Sequence, residues 1–424
     1  MTNKKFKLAA MSLATAVAVS AVGPSASAVT YYLGDGSVTV GQDENRGAFS
    51  YQGEDQGDKN RTYVNEDTPD NGVIYVKDGN APEVVPPTTD NSDNGTEVPT
   101  PTDNDTQSTD SSADNTENSS TSETTTTNTI TVKEDVKDAT IVVDGVNVDT
   151  TSTPTEVPAD TKEDKTIIKV GEGADVDLTV RDSNLTTGGN GIDIGVNLEG
   201  EDENKETNVD LTLDNTKINL TEKDNTAGIV VRDHSTVDVT LKGENTIDGK
   251  KALENAAQEA GDAKKESTSS PNRNVEGIRV GGENAGDDSS GEGASLTIKG
   301  DDTSDQGSLN IDHTSTGMVI SNDSDVTLTD NADVDIKHTE AGSSTQGGRG
   351  IVQRGDLTVE DKSSLTIDTV GSGAYKIDND QEGLVYGNNG YGIDSTDDIT
   401  VTGTAHWRSR EHKALQSMEE PVPA

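Results

Sequence analysis

TGMVISNDSDVTLTDNADVDIKHT, Thr316 to Thr339, holds one complete repeat of this chain. It reads as a glycine followed by aliphatics, a polar break, an alternating segment, a second break and a second alternating segment. Val326 and Leu328 alternate with Thr327 and Thr329; Val334 and Ile336 alternate with Asp333, Asp335 and Lys337. A period of two places the aliphatics on one face of a strand and the polar residues on the other. A lone short strand cannot bury such a face, so neighbouring copies must stack and share it.

The same scheme recurs in AGIVVRDHSTVDVTLKGENTIDG, Ala227 to Gly249, and in RGIVQRGDLTVEDKSSLTIDTV, Arg349 to Val370. Each copy supplies about three short strands joined by polar bends. The expected fold is all-β, a right-handed parallel β-helix with about three strands per coil. A strand–helix–strand winding would require amphipathic helical stretches between the strands. The opening glycines are Gly228, Gly277, Gly317, Gly350 and Gly392, with Gly191 beginning a less regular turn. Their gaps run from 33 residues (Gly317 to Gly350) to 49 (Gly228 to Gly277), which fits a constant core with loops of varying length. We expect these glycines at coil corners, where positive φ or close backbone approach is needed. No GxGxxG opens a helix, so a phosphate cradle is not expected.

Composition sets limits on function. The chain has 424 residues, a net charge of -46 and only 28% hydrophobic residues. A single large core is not expected, whereas a β-helix needs only a few small aliphatics per coil and pairs its backbone between coils about 4.8 Å apart. Strong acidity argues against nucleic acid and anionic lipid as partners. It fits solubility outside the cell, cation binding or mutual repulsion of surface molecules. There are no cysteines, so disulfides, thiolate metal sites and cysteine nucleophiles are excluded.

Met1 to Ala28 reads as a secretory signal peptide: Lys4, Lys5 and Lys7, an apolar run from Leu8 to Val22, and the small-x-small site Ala26-Ser27-Ala28. The mature chain would begin at Val29, and no later stretch is apolar enough to span a membrane. Residues 29–80 carry Tyr31, Tyr32, Tyr51, Tyr63 and Tyr75 on strand-like segments. They read as a small β module or as an N-terminal coil or cap, with a tyrosine platform for sugars as the functional rival. Residues 81–128 are low in complexity, rich in Ser, Thr, Asp, Asn and Pro, and expected to be disordered. They are either a linker or a loop inserted in one coil.

Alternating segments resume and define the expected solenoid, 129–404. Within it, VDGVNVD would pair two short strands around the turn Asp144-Gly145. KALENAAQEAGDAKKE, in the insert at 250–266, is expected to be a short exposed helix decorating a bend. Residues 405–424, with the one tryptophan, Trp407, break the pattern. They read as a cap or as the tail of an altered reading frame. No wall-sorting signal is recognisable there.

Several phrases resemble a family of secreted bacterial repeat proteins: ITVKEDVKDATIVVDGVNVD (Ile130 to Asp149), KVGEGADVDLTVRDSNLTTGGNGI (Lys169 to Ile192) and VTLKGENTIDG (Val239 to Gly249). Members are adhesin-like or carbohydrate-binding-domain-containing surface proteins of gut Firmicutes. The resemblance implies a surface location and contact with glycans or other surface proteins. It assigns no functional residues.

Chemistry-bearing residues are few. Asp333 and Asp335 have a strand spacing open to the two-carboxylate arrangement of a glycoside hydrolase, but in so acidic a chain they read as a solvated face. Arg349 and Arg354 read as charge partners of nearby aspartates rather than as lyase bases. The expectation is therefore no catalytic residues and no enzyme, with a polysaccharide lyase or glycoside hydrolase as the alternative. No cofactor is expected beyond structural calcium. Asp378, Asp380 and Glu382, followed by Gly383, resemble the start of a calcium loop, although Asn389 stands where a bidentate Glu belongs. Tyr375, Tyr386 and Tyr391 would form a small aromatic patch, either for sugar or as a hydrophobic end plug. The histidines lack HxxxH spacing. His313 and His338 follow the same type of strand and would stack on adjacent coils, where a shared metal is the sharper alternative.

Overall fold

A computed structural model describes residues 28–43, 47–53, 62–63, 72–81, 125–152, 165–198, 205–222, 225–255, 274–282, 293–301, 307–339, 348–369, 374–375, 385–386, 391–402 and 406–411. They form three long, mostly parallel sheets of ten, eleven and eight strands, here sheets A, B and C. The chain visits them in the order A, C, B and then starts the next coil. One circuit runs through Asp325–Thr329 in A, Asp333–Thr339 in C and Arg349–Gln353 in B. The next continues at Asp356–Val359 and Ser364–Thr369. This is the parallel β-helix expected from the repeat.

The alternation in sequence becomes a column of like residues along the solenoid. Inside sheet A, Val176, Val209, Val237, Leu296, Val326 and Leu357 stand in register. Inside sheet C the column is Val148, Leu185, Ile218, Ile247, Ile311, Ile336 and Ile367. All are buried in one continuous core. Each such side chain contributes about 1.5–3 kcal/mol of burial, so a modest apolar fraction suffices when every coil reuses the same positions.

The corner from A to C depends on residues that tolerate a left-handed backbone. Gly145, Asp182, Asn215 and Gly243 hold φ of 65°, 48°, 51° and 59° on successive coils. Asp and Asn are the non-glycine residues that enter this region most readily. The Asp144-Gly145 turn is therefore a coil corner. The strands it joins, Ala139–Asp144 and Asn147–Asp149, lie in different sheets and do not pair with each other, contrary to the hairpin-like reading. Inside the corner, Thr216 N–H donates to Asn245 Oδ1 at 2.9 Å and Val146 N–H to Ser183 Oγ at 3.2 Å. Buried polar groups thus satisfy the backbone where the strands stop.

The opening glycines do something other than turn corners. Gly228, Gly277, Gly317 and Gly350 lie inside strands of sheet B, without positive φ. A Cβ on Gly228 would sit 2.5 Å from Ile247 Cγ2 and 2.8 Å from the Gly277 carbonyl. At Gly277, Gly317 and Gly350 a Cβ would collide with Ile311, Ile336 and Ile367 in turn. The glycine column is needed because the isoleucine column of sheet C packs directly against it.

At the N-terminal end, Val29–Tyr32 and Ile74–Lys77 extend sheet A, and Val38–Asp43 extends sheet B in parallel with Ile130–Val132. Gly47–Gln52 and Thr62–Tyr63 add antiparallel strands beyond it. Sheet C continues past the expected limit at 404: His406–Glu411 pairs in parallel with Ser364–Thr369, setting Trp407 opposite Leu365. Pairing uses the backbone, so it survives the change in composition. The insert at 250–266 also differs from expectation at its start. Residues 250–255 are helical, and Ala252 and Leu253 are buried within the core rather than exposed. Leu253 supplies the apolar anchor that docks this turn. Among the described residues no helix is long and apolar enough to cross a membrane.

Candidate functional site

The outward faces of the sheets carry the side chains available for function. On sheet A one register position runs Asp177, Asp210, Asp238, Thr297, Thr327, Thr358 and Thr400. Coil stacking places these side chains about 4.8 Å apart. Burial against the neighbouring coils, reinforced by adjacent aspartates, pushes the Asp177 and Asp210 carboxyls above the ordinary range. Lys299 Nζ lies 2.6 Å from Asp238 Oδ2. On sheet C an amide ladder forms: Asn219 Nδ2 donates to Asn184 Oδ1 at 2.8 Å, and Asn184 Nδ2 donates to Asn147 Oδ1 at 3.1 Å.

Sheet B differs, because its outward face is partly closed and encloses charge. Arg232 grips Asp193 through Nε to Oδ1 at 2.8 Å and Nη2 to Oδ2 at 2.9 Å. Arg279 Nε donates to Glu276 Oε2 at 2.5 Å, and both side chains are buried. Desolvation raises the Glu276 carboxyl against the pull of Arg279. The sequence reading passed over these pairs. Their signal is a charge inside a short aliphatic run, as in VEGIRV (Val275 to Val280) and GIDIG (Gly191 to Gly195).

The corner from C to B brings the two histidines together. His313 follows Asp312 and His338 follows its register partner Lys337 on the next coil, and the two rings stack with centroids 5.2 Å apart at 18°. His338 Nδ1 lies 2.7 Å from Asp312 Oδ1; His313 Nδ1 lies 3.2 Å from the same oxygen and 3.5 Å from Asp248 Oδ1. One ligand atom from each of Asp312, His313 and His338 falls within a 4.8 Å cluster.

The remaining candidates are distributed as follows. Asp378, Asp380 and Glu382 lie outside the described residues. Tyr375 and Tyr386 belong to two antiparallel strands with Tyr375 opposite Val385 and Tyr386 opposite Ala374. Tyr391 belongs to sheet B, opposite Arg349. Asp335 is engaged by Lys337 Nζ at 2.6 Å, and Asp333 accepts a hydrogen bond from Ser364. Arg349 and Arg354 both approach Asp394 at 3.6 Å, the charge-partner role read from sequence. Near the N-terminus Tyr31 and Tyr51 are buried, Tyr31 donating to the Ser50 carbonyl at 2.9 Å, so these two rings do not form an open sugar platform.

The chain matches no protein-family model, no curated protein and no solved structure.

Proposed function

We propose that this protein is exported and works at or outside the cell surface as a β-helix that binds and spaces, contacting glycans or other surface proteins without turning them over. The observation that carries this reading is the unbroken register of the outward polar columns. Asp177 through Thr400 on sheet A repeat short carboxylate and hydroxyl groups at coil spacing, and on sheet C the amides of Asn147 and Asn184 stand in register, with Asn219 bonding to Asn184 from the adjacent column. An extended polymer lying along the solenoid meets the same chemistry at each step, and many modest contacts add through multivalency. Export is supported by the leader at Met1 to Ala28.

A panel of plant, microbial and host polysaccharides tests the reading, scored for retention of the purified chain and for release of reducing or unsaturated ends. Retention without release is the expected result. Sustained release would overturn it in favour of a polysaccharide lyase or glycoside hydrolase. Export is tested separately by fractionating expressing cells and sequencing the N-terminus of the released chain, which should begin at Val29.

A further inference from the structure

The Asp312, His313 and His338 corner has a geometry that surface charge alone does not require. Asp312 ends its strand opposite Asp248 on one neighbouring coil and Lys337 on the other. His313 and His338 come next, both left-handed, with φ of 51° and 48°. The parallel register shifts between Lys337 and Thr339, so His338 is an extra residue bulged from the strand. Bulges of this kind re-aim a side chain. Here the bulge gives two consecutive coils a histidine at one corner.

His313 Nδ1 is enclosed and makes no hydrogen bond, although carboxylate oxygens of Asp312 and Asp248 lie 3.2 and 3.5 Å away. Asp248 Oδ1 already accepts from Lys250 N–H at 2.9 Å. We propose that Asp312, His313 and His338 bind one divalent transition-metal ion of the zinc class, joining two coils at the corner between sheets C and B. Zinc takes nitrogen and carboxylate ligands at about 2.0–2.2 Å, which places two ligands of a tetrahedral ion roughly 3.3 Å apart. The 3.2 Å separation of His313 Nδ1 from Asp312 Oδ1 is close to that figure, and the 2.7 Å separation of His338 Nδ1, a hydrogen-bond distance, would widen by about 0.6 Å on binding. An ion there gives His313 Nδ1 a partner and takes the place of the His338–Asp312 hydrogen bond.

Two imidazoles with one carboxylate select zinc, nickel, copper or cobalt over calcium, which prefers six to eight oxygens. The acidic chain also lowers the cost of bringing in a cation. Three protein ligands and a half-exposed His338 leave a coordination position open to solvent or an external ligand.

The test uses the full chain, stripped with EDTA and titrated with zinc chloride alone at pH 7.5, with calcium chloride as the comparison. One zinc per chain is expected, with a rise in Tm that EDTA reverses. His313→Asn and His338→Asn are the informative variants, since Asn tolerates a left-handed backbone and spares the fold. Each should lose at least tenfold in zinc affinity with an unchanged circular dichroism spectrum. Cobalt bound to the native chain should show a ligand-field absorption band that disappears in the double variant. Absence of stoichiometric zinc in the native chain would overturn the proposal, leaving a hydrogen-bonded Asp312–His338 pair. So would stoichiometric zinc retained by the double variant, which would place the ion among surface carboxylates.

Discussion

Arg181 reaches across to Asp144 on the preceding coil and holds it with two parallel hydrogen bonds, Nε to Oδ1 at 2.9 Å and Nη2 to Oδ2 at 3.0 Å. The pair belongs to a column of alternating charge: Lys77, Asp144, Arg181, Asp214, Lys242. The Arg181 hydrogen bond holds the Asp144 carboxyl below its ordinary value. A depressed carboxyl stabilises the fold above its unfolded pKa, and that contribution is lost as pH falls through the folded value. Arg181→Ala should therefore cost about 1 kcal/mol at pH 7, and the deficit should shrink below about pH 4. Urea denaturation at the two pH values measures both; an equal deficit at pH 7 and pH 3 would contradict the assignment.

A second charged column of sheet A, separated from the first by the Thr179–Thr212–Thr240 column, has the opposite character. Asp177, Asp210 and Asp238 follow one another with like charge, and burial raises Asp177 and Asp210. A raised carboxyl favours the fold below its unfolded pKa, and this contribution disappears as pH rises through the folded value. Asp210→Asn should stabilise the protein by about 0.5 kcal/mol at pH 7, and this gain should vanish near pH 3. Thermal melts across that range check it, and a lower Tm for the variant at pH 7 would refute it.

The glycine column makes a separate claim. A Cβ on Gly317 would collide with Ile336 and lie 2.6 Å from the Gly350 carbonyl. Gly317→Ala should cost about 1–3 kcal/mol, through overpacking rather than backbone strain. Gly317→Asn then separates the two causes. Asn would be tolerated at a left-handed corner but should be at least as damaging as Ala here. In an Ile336→Ala background the cost of Gly317→Ala should fall, giving a measurable coupling energy.

The enclosed pair on sheet B predicts an asymmetry. Glu276→Ala leaves Arg279 buried and without its partner, and should cost about 3–5 kcal/mol. Replacing both, Glu276→Leu with Arg279→Met, should recover most of that loss, because two buried charges are removed together. Chemical denaturation of the three chains decides. A double variant as unstable as Glu276→Ala would show that the pair is required for more than mutual neutralisation.

Much of the architecture was legible because strand alternation is local. Val326 with Leu328, and Val334 with Ile336, declare their faces two residues apart, and one coil implies the rest. The function of Gly317 was less legible. Its constraint comes from Ile336, on a different sheet of the next coil, and a glycine in sequence does not reveal what presses against it. The burial of Leu253 was missed for a related reason: one anchoring residue leaves no periodicity. Asp193 and Glu276 did carry a signal, a charge within an aliphatic run, but only the fold shows what encloses them.

The sequence alone determined that the chain winds in short strands with one buried face, because a two-residue period depends on nothing outside the strand. It also excluded disulfide and thiolate chemistry, through its lack of cysteine. Only the tertiary structure decided which residues share a column. Partners such as Asp144 and Arg181, or His313 and His338, are separated by loops of unequal length, so their meeting is fixed by coil register. That register makes one column of charges attractive and another repulsive, and it brings two scattered histidines to a single corner.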